Sequence, residues 1–150
     1  DHRDLHSFPT RRSSDLIYSV KQKLQEQKKN GEKGYFLFHS CGNVRPLIES
    51  FIGMGIDIIN PVHITVEDMA PAELKKDFGN DITFWGGGVE TQFVLPKGTV
   101  IDIKENVKRN LNAFMPGGGF VFATVHNIMA EVPPQNILAM IEALKKNGVY

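Results

Sequence analysis

The feature that most constrains this chain is an alternation. From Tyr35 onward, four short apolar runs are each followed by a stretch with helical spacing. The runs are YFLF (Tyr35–Phe38), IDIIN (Ile56–Asn60), DITFW (Asp81–Trp85) and FVFATV (Phe120–Val125). A Lys-, Gln- and Glu-rich segment, Ile17 to Asn30, precedes them and reads as a helix closed by Gly31. Val44–Met54 places Leu47, Ile48, Phe51 and Ile52 on one face at 3- and 4-residue spacing, with Gly55 as its cap. Thr65 and Asp68 have the spacing of a capping box and are expected to open a helix running to Phe78. Thr99–Phe114 directs Val107, Leu111 and Phe114 inward, and Pro116–Gly119 end it. Pro133 and Pro134 open a last helix with the apolar face Ile137, Met140, Ile141 and Leu144. Strand–helix alternation predicts a parallel sheet covered by helices. Runs this apolar predict strands buried on both faces.

Two architectures satisfy that pattern, an open doubly wound sheet and part of a barrel. A dinucleotide-binding sheet carries Gly-x-Gly-x-x-Gly after its first strand. Here that turn reads His39-Ser40-Cys41-Gly42-Asn43. Four strands are too few for a barrel of eight. The expected fold is therefore α/β, half of a (β/α)8 TIM barrel: a helix followed by about four strand–helix units, with the other half upstream. The chain's start agrees. Asp4–Leu16, DLHSFPTRRSSDL, is similar to the in-frame translation of a common sequencing adapter. Residues 1–16 are expected to be a non-native, disordered tail and residues 17–150 a truncated domain.

Composition excludes several partners. Lys+Arg and Asp+Glu both number 17, so the formal charge is zero, where a nucleic-acid binder would carry a basic excess. No stretch approaches the ~20 continuous apolar residues of a membrane span. A single cysteine forms no internal disulfide, which makes a reducing cytoplasm the expected setting.

The chemically distinctive residues fall just after each expected strand: His39, Cys41 and Asn43; Asn60, Pro61 and His63; Gly86, Gly87, Gly88, Glu90 and Thr91; His126 and Asn127. In a barrel these loops share one rim, the strand C-terminal rim where active sites of this fold lie. Residues i and i+2 at a strand end point the same way, so His39 and Cys41 would face one point, as two zinc ligands must. A catalytic zinc needs three protein ligands and an open position, and His126 is the candidate third. The alternative is a hydrogen-bonded histidine beside a packed thiol. His63 reads as a solvated loop histidine or a residue approaching the mouth, Glu90 as a solvated carboxylate, an acid/base group or a fourth oxygen ligand, and Trp85 as a pocket wall or core. Gly86–Gly88 is a phosphate cradle, a close substrate approach or a plain turn. Gly117–Gly119, before a strand, reads as a turn at the opposite rim.

Three segments taken together, HSCGNVRPLIESFIGMGIDIINPV, DITFWGGGVETQFVLPKGT and FVFATVHNIMAEVPPQNILAMIEA, resemble the uroporphyrinogen decarboxylase family. The resemblance covers Ile17 to Tyr150 and falls on the last four units of that family's (β/α)8 barrel, which implies a C-terminal half. It implies one of two chemistries. Decarboxylases of the family remove porphyrinogen acetate carboxyls without a metal. Their relatives transfer methyl from a corrinoid protein to a thiol, using zinc on a His-x-Cys pair and a later Cys. His39 and Cys41 match the pair, while His126 stands where the later Cys is expected. The decarboxylases carry a Gly-rich turn in place of His39-Ser40-Cys41, so methyl transfer is the expected activity, with zinc on His39, Cys41 and His126. Asn60, Trp85, Gly86, Gly87, Glu90 and Asn127 are the implied substrate contacts. Decarboxylation of a tetrapyrrole, or a barrel that only binds a small molecule or a corrinoid, remains the alternative. The intact parent is expected to be an enzyme, with a homodimer open as its assembly, and the isolated chain to be inactive.

Overall fold

A computed structural model of the chain describes residues 11–27 and 34–149. The elements run α1 (Arg11–Gln27), β1 (Leu37–His39), a 3-10 turn (Arg45–Leu47), α2 (Ile48–Gly53), β2 (Ile58–Asn60), α3 (Pro71–Phe78), β3 (Thr83–Trp85), α4 (Val94–Lys97), α5 (Val100–Phe114), β4 (Phe120–Val121) and α6 (Pro134–Asn147). The four strands form one sheet in the order β1-β2-β3-β4, all pairs parallel. This is the α/β arrangement expected of part of a TIM barrel: parallel neighbours taken in sequence order, each joined by a helical crossover. Among the described residues no helix is long and apolar enough to cross a membrane.

Register explains which side of the sheet holds the core. Phe38, Ile59, Phe84 and Phe120 are aligned across the four strands. This row faces the helices: Ile59, Phe84 and Phe120 are buried among Ile48, Phe51, Leu74, Ile103, Val107, Leu111 and Phe114. Phe114 lies between two members of the row, 5.3 Å from the Phe84 ring and 4.9 Å from the Phe120 ring, the latter pair stacked. The alternate row, one residue along each strand, points the other way. It contains Leu37 and Trp85, 45% and 38% exposed. The expectation of strands buried on both faces is thus corrected: among the described residues only the helix side is covered.

Several boundaries differ from the sequence reading, each for a local reason. Helix α1 begins at Arg11, not Ile17, so the last residues of the segment expected to be structureless are helical. Its expected end at Asn30 and Gly31, and residues 1–10 of the tail, lie outside the described residues. Lys21 anchors α1 by donating to the Gly55 carbonyl (2.7 Å) and to Asp57 (2.8 Å). Thr65 and Asp68 do not cap a helix. Ala70 is extended (φ −62°, ψ 129°), as a residue before proline must be, and α3 starts at Pro71. Helix α5 does have a capping box, with Thr99 and Asp102 bonding each other's backbone N–H. Helix α6 buries Asn136, Ala139, Met140 and Ala143 and packs Ile137 and Leu144 against the core, so of the expected face only Ile141 is exposed. Asn136 fastens the start of the helix, its amide donating to the carbonyls of Leu95 (2.9 Å) and Gly98 (3.1 Å). The last strand is shorter than FVFATV. Gly86 and Gly87 take positive φ (105° and 78°) and bend the chain after β3; backbone bonds from Gly86 and Gly88 still reach the last run, and Val89 pairs with Thr124 in an isolated bridge.

Candidate functional site

Parallel strands end on the same rim, so β1, β2 and β3 deliver their last residues, His39, Asn60 and Trp85, side by side. All three belong to the row facing away from the helices. The Asn60 amide joins them. Its Nδ2 donates to the Trp85 carbonyl at 3.0 Å, which leaves Oδ1 as an acceptor, and His39 Nδ1 lies 2.8 Å from that oxygen. An acceptor at Nδ1 requires the proton on that nitrogen, so the lone pair is on Nε2. Nε2 in turn faces Cys41 Sγ at 3.8 Å. His39 and Cys41 thus stand side by side at the rim.

This pair suits two adjacent corners of a tetrahedral zinc site, for which typical bond lengths imply an N-to-S separation of about 3.6 Å. The Nδ1–H···O bond to Asn60 is the kind of partner that orients a metal-bound histidine. The third expected ligand is not beside them. His126 is exposed, and among the described residues no three His, Cys, Asp or Glu side chains are grouped closely enough to hold a metal ion.

His126 instead belongs to a neighbouring cavity of about 380 Å³, lined also by His63, Thr91, Gln92, Asn127 and Glu131. His63 is the residue that sequence reasoning undervalued. It is half-buried, and its Nδ1 accepts from the Gly42 N–H at 3.3 Å, in the loop that carries Cys41. Its Nε2 is buried with no hydrogen-bond partner. Burial, then the nearby His126, then His39 hold its pKa below the ordinary 6.5. The signal was present in the sequence: His63 follows a strand end on the rim that carries His39 and His126.

The third loop does something other than what was expected. Glu90 is only 3% exposed. Its Oε1 accepts from Gln92 N–H at 2.6 Å, and its Oε2 from Phe93 and Val94 N–H at 2.8 and 2.7 Å. The carboxylate caps the free N–H groups that start α4, so it is neither solvated nor turned to the rim. Its own N–H donates to Asn106 Oδ1 (3.2 Å), and Asn110 Nδ2 donates to that oxygen (3.0 Å) and to Gly88 O (3.3 Å). Gly86, Gly87 and Gly88 are buried. The N–H groups of Gly86 and Gly88 continue the ladder to Val121 and Ala123 (3.1 and 2.8 Å) and are not free to cradle a phosphate. A Cβ on Gly88 would stand 2.4 Å from the Phe122 ring, which is why the third position must be glycine. Gly117–Gly119, all with positive φ, form the turn expected at the other rim, where Lys75 donates to the Gly118 carbonyl.

The sequence model described as uroporphyrinogen decarboxylase (URO-D) matches residues 13–147. No curated protein matches the chain. Among solved structures, a methyltransferase from Methanosarcina mazei superimposes with a TM-score of 0.61 at 23% identity, over 91% of this chain and 38% of that one. The chain thus spans well under half the length of that structure, and at this identity the likeness is one of fold.

Proposed function

This chain belongs to the uroporphyrinogen decarboxylase family, and from that premise we propose that its intact parent transfers a methyl group from a corrinoid protein to a small thiol, with zinc as cofactor. The supporting observation is the His39–Cys41 pair, 3.8 Å apart, with the histidine tautomer set by Asn60. His39 and Cys41 would hold the metal; His126, which stands apart from the pair in this chain, would have to swing toward it to serve as the third ligand. Bound there, zinc supplies a Lewis acid that keeps a substrate thiol deprotonated at neutral pH. The chain's residues do the rest. Asn60 holds His39 with its Nε2 lone pair toward the pair's open side. Trp85 forms an apolar wall on the same face, and Asn127 and His126 line the adjoining cavity. Gly86, Gly87 and Glu90 act on the site through the backbone they shape and fasten. A cytoplasmic setting and a homodimeric parent belong to the same proposal.

The separation of His126 from the pair favours a second reading, metal-free decarboxylation of a tetrapyrrole. Under it His126 and Asn127 contact substrate carboxylates and Cys41 is a plain thiol. A barrel that only binds a small molecule or a corrinoid is the third.

Elemental analysis of zinc in the intact parent, purified without chelator beside a His39→Ala variant, separates them. About one zinc per chain, lost in the variant, is the expected result. A well-folded parent without zinc overturns the metal reading and puts decarboxylation or binding in its place.

A further inference from the structure

His63 Nε2 and Thr91 Oγ1 are the buried side-chain polar atoms left without a hydrogen-bond partner among the described residues, and both residues line the same cavity. A folded protein leaves only a few such atoms, and two gathered at one cavity suggest a partner that the chain itself does not provide. Their chemistry says what that partner is. Because His63 Nδ1 accepts from Gly42 N–H, the neutral ring carries its proton on Nε2, which is therefore a donor. The Thr91 hydroxyl is also free to donate. Among the described residues no Lys or Arg lines the cavity, and the exposed Glu131 adds a negative charge at its edge. A head group bound here is held by hydrogen bonds, not by a counter-charge.

We propose that this cavity is a head-group site, in which His63 Nε2–H and Thr91 Oγ–H together bind an sp2 oxygen acceptor of a small organic ligand, a carboxylate or a carboxamide. The inference deepens the thiol-transfer reading and rests on it for the ligand being the substrate. The loop from Cys41 to Gly42 links the two places, Cys41 standing beside His39 and the next residue donating to His63. A thiol bearing an acceptor oxygen would span from the pair to the cavity. Gln92 and Asn127 supply further polar lining, and Val125 and Met129 an apolar lining for a short carbon chain.

The test uses the full 150-residue chain with a chelator present, titrated with propionate and, separately, with propionamide. The histidine ring signals are followed by 1H–15N NMR, with His63 assigned from a His63→Gln variant. The expected result is a saturable shift of the His63 Nε2–H signal with at least one probe; which of the two acts tells whether the acceptor is charged or neutral. Thr91→Val is expected to weaken the response about 3- to 10-fold, the worth of one hydrogen bond, while Thr91→Ser retains it. Thr91→Ala takes the place of the valine variant if the latter fails to fold. The proposal is overturned if neither probe moves the His63 signal, or if removing the Thr91 hydroxyl leaves the response unchanged. Zinc plays no part in this readout. A failure here therefore removes the head-group site alone, and a parent that lacks zinc leaves a positive result standing.

Discussion

The two faces of the sheet are built from adjacent residues and do opposite work. On one, Phe38, Ile59, Phe84 and Phe120 form a continuous apolar row under the helices. On the other, one residue further along, His39, Asn60 and Trp85 are joined by hydrogen bonds and open to the outside. A period of two lets each strand serve packing and chemistry at once, and a slip of one residue in register would exchange them. The rim is placed by the same row that stabilises the fold, so the chemistry depends on the core without being part of it.

The largest expected effect breaks this division at its most buried point. Phe84→Ala removes a ring packed against Phe114 and should cost about 3–5 kcal/mol of stability. Its neighbour Trp85, on the open face, should cost under about 1.5 kcal/mol when truncated to alanine, despite the larger side chain. Denaturant unfolding of both variants checks the contrast. Equal losses would mean that the open face is covered in solution, as by another copy of the chain.

A smaller effect is expected from the polar latch behind the third loop. Glu90→Ala leaves three backbone N–H groups at the start of α4 without their acceptor. The expected loss is about 2–3 kcal/mol, at the upper end for a helix cap because the carboxylate is buried and bonds three donors. Glu90→Gln should recover part of it, since one oxygen remains to accept. Stability unchanged in the alanine variant would return Glu90 to the solvated role that its sequence position suggested.

Which parts of this were legible in the sequence follows from range. Alternation of apolar runs and helical stretches is a local signal, and it gave the element order, the parallel sheet and the common rim of His39, Asn60, Trp85 and His126. Thr99 and Asp102 cap α5 through bonds three residues apart, again local. What failed depends on distant partners. Glu90 looked solvated because nothing near it in sequence shows that Asn106 and Asn110 close the space behind it. On α6 the apolar face was legible, but the burial of Asn136 was not, because the carbonyls it reaches, Leu95 and Gly98, lie far back along the chain. His63 looked like a loop residue because its partner, Gly42, sits after a different strand. At the site, the pair separated by two residues was readable, whereas the distance from it to His126, set by the whole turn of the sheet, was not.

The mildest test concerns His63 and acts through pH. Its pKa in the folded chain is lowered, by burial first and then by His126 and His39, from an ordinary value of 6.5. Below 6.5 the unfolded chain takes up a proton that the folded chain resists, so the unfolded state binds more protons in that range and stability falls as pH falls. The loss begins near the unfolded value and stops growing once pH drops below the folded one, where both states are protonated. Asp102, whose carboxyl is held below its ordinary 3.8 by bonds to Thr99, contributes a loss of the same sign at lower pH. Unfolding of the metal-free chain between pH 8 and pH 5 should therefore show a modest decline that His63→Gln flattens, because glutamine keeps a donor and an acceptor but does not titrate. A decline of the same size in the variant would assign the dependence to other groups and leave His63 as exposed in solution as its place in a loop first suggested.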